Sequence, residues 1–267
     1  MNEETDLKAE LDSFRDLWPG GYFVADPEQT LAPYLMHSMM GHHHVVYLTC
    51  VRPWITPRTH ALEIGCGRGA WTRLMLGAEE VTCVDALSAE HNAFHAYVGD
   101  VPNVHYHQVE DFSLGMVPDE SVDYVFSYEA LCHVSFAGIG AYARSLSRVM
   151  KSGAHGFLMV ADYRKYNAFV DALGSTNALV AMLPKRRYLV VRGTGAWLIR
   201  RYAAWVARRR RIRHLALNED SVPRPGRWYH AGAAETCRML REVGFTVLEE
   251  DMGVDPASPM IHFLQER

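Results

Sequence analysis

Between positions 61 and 85 the chain sets two acids and a cluster of glycines at intervals that suit the binding of a nucleoside. Glu63, Gly65, Cys66, Gly67 and Gly69 fall in one run, Glu-Ile-Gly-Cys-Gly-Arg-Gly, and Asp85 follows sixteen residues after Gly69. Glycine at 65 and 67 lets the backbone turn sharply and approach a ligand where a Cβ would clash. A carboxylate at Asp85 can accept hydrogen bonds from both hydroxyls of a ribose. A second polar group, Tyr128, Glu129 and His133, lies in the run Ser-Tyr-Glu-Ala-Leu-Cys-His-Val. An imidazole, largely neutral near pH 7, can take the proton from a hydroxyl as it attacks an electrophile. Asp162 adds a carboxylate, and Tyr229 and His230 add a phenol and another imidazole. Glu129 and Asp162 are hard oxygen ligands of the kind Mg²⁺ prefers, but two carboxylates do not make a metal site, and none is expected.

These side chains need a frame, and the hydrophobic pattern supplies one. A short apolar strand over 59–64 leads into the glycines, a helix is expected over 70–78, and a second strand over 80–84 ends at Asp85. Strand, glycine turn, helix and acid-tipped strand form a nucleoside-binding βαβ unit. The pattern continues with a helix over 89–97, strands over 104–109 and 122–127, and a helix over 136–150. A turn at 151–153 and a fifth strand over 155–161 follow. Near the end, a helix over 231–242 stops at Gly244, and strands over 245–250 and 260–264 form a closing hairpin. Short apolar strands of this kind read as buried parallel ones with helices on both faces. The expected fold is α/β: a Rossmann-like, seven-stranded, mostly parallel sheet flanked by helices, with an N-terminal helical cap and a helical insertion after strand five.

The order Glu-x-Gly-x-Gly-x-Gly from Glu63 to Gly69 resembles motif I of the class I S-adenosylmethionine-dependent methyltransferases. A dinucleotide fingerprint would bring its third glycine one residue later. The resemblance continues through Asp85, through Glu110-Asp111-Phe112 after the third strand, and through the fourth strand at 121–127. It covers roughly 55–162, with a weaker echo at 231–267.

The resemblance implies S-adenosyl-L-methionine as cofactor. The turn of Gly65, Cys66, Gly67 and Gly69 would lie beneath its methionine part, and Glu63 would support that loop or the cofactor's amino group. Asp85 would hold the ribose, Asp111 and Phe112 would meet the adenine, and Tyr128 would line the path toward the acceptor. The reaction is then direct displacement at the methyl group, with His133 as base and Glu129, Asp162 and His230 closing the site. The overall character is closest to small-molecule and sugar O-methyltransferases, which implies a hydroxylated acceptor such as a saccharide. An amine acceptor and a non-catalytic binding module are the alternatives. The chain after strand four lacks the Asn/Asp-Pro-Pro-Tyr run of amino-methylating nucleic-acid enzymes and the Pro-Cys of pyrimidine-carbon methylation.

The remaining features bound these readings. A chain of 267 residues accommodates an N-terminal cap (1–57) and a methyltransferase domain (58–267) that carries an insertion at 163–230. Net charge is −4, yet eleven of the 27 Lys and Arg residues lie between Lys185 and Arg213. A half-apolar, half-basic helix is expected over 197–211, with Trp197, Arg201 and Trp205 spaced four apart. Its expected role is a lid or subunit contact, with a homodimer as one outcome; nucleic acid is not the expected partner. In a helix expected over 35–54, the consecutive histidines 42–44 point in different directions, so the three cannot all ligate one ion, although one could reach a substrate cleft. Five scattered cysteines with no C-x-x-C pair fit reduced thiols. With an acidic start and no apolar run long enough to span a bilayer, a cytoplasmic location is expected.

Overall fold

The computed structural model describes residues 42–175, 178–183, 187–192, 197–198, 201, 205, 215–217 and 229–266. Five strands come first: β1 (His60–Ile64), β2 (Glu80–Asp85), β3 (Val104–Gln108), β4 (Val122–Ser127) and β5 (Met150–Met159). β6 (Ala178–Leu183) and β7 (Arg187–Arg192) form a separate antiparallel pair, and β8 (Phe245–Glu249) and β9 (Met260–Gln265) close the main sheet. The main sheet runs β3-β2-β1-β4-β5-β9-β8. Its first five strands pair in parallel, and β9 and β8 add an antiparallel edge. The expected seven-stranded, mostly parallel sheet is therefore what the chain forms.

β1 buries Ala61 through Ile64, as a strand covered on both faces must. It has β2 on one side and β4 on the other, so the chain leaves it in opposite directions. This switch point opens a crevice at the carboxyl ends of β1 and β4, where sheets of this kind bind ligands. The core beneath combines Leu62, Ile64, Val84, Val125 and Leu158 with Ile139, Tyr142 and Leu146 from α3 (Phe136–Val149). Ser135 starts that helix by accepting a hydrogen bond from the Gly138 N–H.

Three local expectations need correction. The helix expected over 70–78 is a single tight turn, Thr72–Leu74, because the Thr72 side chain is tied inward to Glu63. The helix expected over 89–97 shrinks to α2 (Phe94–Val98); the buried Asn92 side chain turns to the Tyr106 hydroxyl, and Ala93 is left-handed at φ +50°. The turn expected at 151–153 lies inside β5. Between two paired positions β4 advances from Val122 to Tyr124 while β5 advances from Met150 to His155, so the extra residues bulge out around Gly153 at φ +82°.

On one face of the sheet β4 carries a column of aromatic rings, Tyr124, Phe126 and Tyr128, stacked at 6.3 and 6.4 Å. A helical segment covers it: α1 (His42–Val46) continues into a wider π turn, Tyr47–Val51. The Tyr124 hydroxyl donates to the Cys50 carbonyl at 2.6 Å and anchors that segment to the middle of the sheet. Residues 1–41 of the expected N-terminal cap lie outside the described residues.

Tyr163–Leu217 forms a compact unit of its own. It contains α4 (Tyr163–Ser175) and the β6–β7 pair, which the helical expectation for the insertion did not include. Trp197, Leu198 and Trp205 are exposed at 51%, 58% and 47%, and the Arg201 guanidinium lies 4.9 Å from the Trp197 ring, as residues four apart on a helix should. The arginines at 208–211 lie outside the described residues. α5 (Ala233–Val243) precedes β8 in the other unit, and Gly244, left-handed at φ +113°, ends it. Among the described residues no helix is long and apolar enough to cross a membrane.

Candidate active site

At the end of β1 the chain turns through Gly65, Gly67 and Gly69, all left-handed, at φ +71°, +52° and +91°. The Gly65 N–H donates to the Val84 carbonyl at 2.8 Å, which holds the turn against β2. A Cβ on Gly65 would stand 2.1 Å from the Cβ of Ala130, so the segment after β4 lies directly on the turn. A Cβ on Gly69 would meet Val98 at 2.3 Å and Phe94 at 2.9 Å, both from α2. One on Gly67 would meet nothing within 4 Å. The turn is thus packed on two sides and open on the third, the shape of a cradle for a ligand.

Asp85 is tied to this turn. Its Oδ2 accepts the Gly67 N–H at 2.8 Å, and its Oδ1 accepts the Leu87 N–H at 2.9 Å. With the Asn92 side chain as a third partner, the carboxylate has room for at least one more donor. Burial raises this carboxyl's pKa, opposed by the two backbone bonds and by Asn92. Glu63 lies deeper and accepts the Thr72 hydroxyl at 2.5 Å. That bond ties β1 to the tight turn that follows the glycines. Burial pushes the Glu63 carboxyl up to about 8, against the Thr72 bond and with a further push from Asp85. Cys66 is buried, and that burial, with Cys83 beside it, holds its thiol well above the usual range.

The two residues expected at an adenine separate. Asp111 is exposed, its Oδ1 accepting the Ser113 N–H at 2.8 Å in a local turn. Phe112 is a core side chain, edge-on to Tyr142 at 4.8 Å.

The other half of the crevice is assembled from distant segments. Tyr128 ends the aromatic column beside Trp71 at 5.0 Å, and its hydroxyl donates to Asp255 Oδ2 at 3.0 Å. Asp255, in the loop between β8 and β9, is fixed through Oδ1 by the N–H groups of Ala257 and Ser258. Glu129 follows Tyr128 with a left-handed backbone, φ +55°, and its side chain is 59% exposed. The side chain is exposed as a whole, but the crowding of its carboxyl end, with Asp255 as a like charge, pushes that carboxyl up. His43 from α1 reaches the same place: Nε2 is 4.0 Å from Glu129 Oε1, and the ring is 5.5 Å from Tyr128 and 6.2 Å from Trp71.

His133 is half-buried on the short turn Leu131–His133. The returning chain is stitched to that turn: the Tyr229 N–H donates to Cys132 O at 2.9 Å, and the N–H groups of Ala231 and Gly232 donate to Ala161 O. His230 therefore arrives near the carboxyl ends of β4 and β5. Asp162 is buried, with Oδ2 accepting the Ala233 N–H at 3.0 Å, so it caps the start of α5. Trp71 and Asp255 were not anticipated. Trp71 stands two residues after the last glycine of the motif, and Asp255-Pro256 is a turn signal, but neither marks a site by itself.

Residues 62–158 match the family described as a methyltransferase domain. An S-adenosylmethionine-dependent methyltransferase from Mesorhizobium loti superposes with a TM-score of 0.52 at 16% identity, over 85% of this chain and 99% of that one. One from Aquifex aeolicus gives 0.50 at 14% identity, over 90% and 98%. No curated protein matches the chain. At these identities the superpositions establish the fold, that of the class I methyltransferases. Fold, domain match and glycine cradle together support S-adenosylmethionine-dependent methyltransferase activity, with S-adenosylmethionine as the cofactor.

Proposed function

We propose that this methyltransferase acts on a hydroxyl of a polyhydroxylated small molecule such as a saccharide. The glycine turn and Asp85 hold the cofactor, and the segment after β4 receives the acceptor. The supporting observation is the contact of Ala130 with Gly65, which sets Tyr128, Glu129 and His133 beside the cradle together with Asp255 and His43. The cofactor brings an activated methyl group. The chain's own residues align the acceptor with it, which supplies much of the rate, and accept the proton that a hydroxyl must lose. The titratable side chains available for that on the segment are His133 and Glu129.

An amine acceptor is the second reading. Glu129 and Asp255, beside the rings of Trp71 and Tyr128, form surroundings that would attract a cation. For the Tyr163–Leu217 unit, the exposed Trp197, Leu198 and Trp205 support a lid or a contact with a second copy. The test is a mass-spectrometric screen of hydroxylated and amine acceptors with labelled S-adenosylmethionine, repeated with His133→Ala. Methylated hydroxyl products support the first reading. Amine products alone replace it with the second, and cofactor binding without turnover on any acceptor removes both.

A further inference from the structure

Of the two titratable groups after β4, Glu129 stands closer along the chain to the glycine cradle. It precedes Ala130, the residue packed on Gly65, whereas His133 comes three residues later on a turn whose Cys132 carbonyl is taken by the returning chain. We propose that Glu129 takes the acceptor's proton, and that His43, reaching in from the N-terminal helical segment, is the residue that positions it. This rests on the methyl-transfer reading above.

Three observations support the assignment. First, Glu129 holds a left-handed backbone conformation that an L-residue adopts only at an energetic cost, and such conformations cluster at functional sites. Second, His43 Nε2 lies 4.0 Å from Glu129 Oε1, within ion-pair range but too long for a hydrogen bond, so the carboxylate is steered and not sequestered. His43 is itself held: its ring packs near Tyr128 and Trp71, and its helical segment is anchored by the Tyr124 hydroxyl on Cys50. Third, the charged and titratable groups that bear on Glu129 come from three places. His43 comes from α1, Asp255 from the β8–β9 loop, and the buried Cys132 thiol from its own turn. Asp255 is pinned by two backbone N–H groups and the Tyr128 hydroxyl, and crowding of the Glu129 carboxyl, with the like charge of Asp255 added, makes Glu129 a stronger base than an ordinary carboxylate.

The step balances. The acceptor's O–H bond breaks toward Glu129 as its oxygen bonds to the methyl carbon. The methyl–sulfur bond breaks with its electron pair left on sulfur, so the sulfonium charge and the carboxylate charge disappear together.

The test uses the full chain with methyl glucoside and ethanolamine as probes and labelled S-adenosylmethionine. For whichever probe the wild type methylates, Glu129→Gln should lower kcat at least about 100-fold, with the cofactor Kd unchanged by calorimetry. His43→Gln should lower kcat about tenfold and shift the acidic limb of the pH profile. Full turnover by Glu129→Gln overturns the proposal. A readout without turnover is the titration of the His43 imidazole by NMR in the cofactor-free protein. Loss of the neighbouring anion in Glu129→Gln should lower its pKa by roughly half a unit or more, and an unchanged titration overturns the pairing. If the wild type binds cofactor but methylates neither probe, the acceptor reading fails by itself, and the NMR titration still decides the pair.

Discussion

The two halves of the crevice are built by different means. The turn after β1 is made by backbone: left-handed glycines, N–H groups donated to Val84 and Asp85, and neighbours so close that a single Cβ has no room. The end of β4 is made by side chains, His43, Tyr128, Glu129, Asp255 and the returning Tyr229–His230, drawn from segments up to about two hundred positions apart in a 267-residue chain. A backbone site fixes what binds and tolerates little change. A side-chain site can be retuned one residue at a time. The first suits an invariant cofactor, and the second an acceptor.

The largest expected effect tests the close packing of the first half. Gly65→Ala places a Cβ against Ala130 in a left-handed conformation, and calorimetry should find cofactor binding weakened beyond about 100-fold, or a chain that fails to fold. The double variant Gly65→Ala/Ala130→Gly removes the opposing Cβ and should recover much of the loss. Failure to recover would mean that backbone strain, and not the contact between the halves, dominates.

Next comes the carboxylate that joins turn to ligand. Asp85→Asn keeps the shape but gives up charge-assisted bonds, worth about 1.5–3 kcal/mol each, so cofactor affinity should fall about tenfold to a hundredfold. Unchanged affinity would remove the ribose role from Asp85.

Glu63→Gln should leave the turn in place, since an amide oxygen can still accept the Thr72 hydroxyl. It should instead change the pH dependence of stability. In the fold the Glu63 carboxyl is pushed up from 4.5 to about 8, so the folded chain keeps a proton that the unfolded chain has released. The stability it contributes is therefore full below about pH 4.5 and is lost as pH rises toward 8. Urea midpoints across that range should fall in the wild type and fall less in the variant; parallel curves would show that Glu63 is ionised in the fold.

The same contrast governs what the sequence discloses. The core strands and the glycine turn are readable because their signals are local: short apolar runs, a motif of seven residues and an acid at the end of the next strand. Asp162 caps a helix seventy-one positions later, a use that sequence does not announce, because a carboxylate at a strand end looks the same in either role. Phe112 packs in the core, and an aromatic residue after a strand reads the same whether it turns to the core or to a base. The helices expected at 70–78 and 89–97 shortened because Thr72 and Asn92 bond inward, to Glu63 and Tyr106, and periodicity does not register such bonds. His43 and Asp255 become site residues only when folding brings α1 and the β8–β9 loop to one place.

Glu129 occupies a backbone geometry that glycine would adopt more cheaply. Glu129→Gly should therefore raise the unfolding free energy by up to about 1 kcal/mol, the smallest effect foreseen, while taking away the carboxylate. At this position selection for thermal endurance and selection for turnover pull in opposite directions. A library sorted only by melting temperature would enrich glycine at 129 and lose the activity, whereas one sorted by product would keep the acid and tolerate the softer fold.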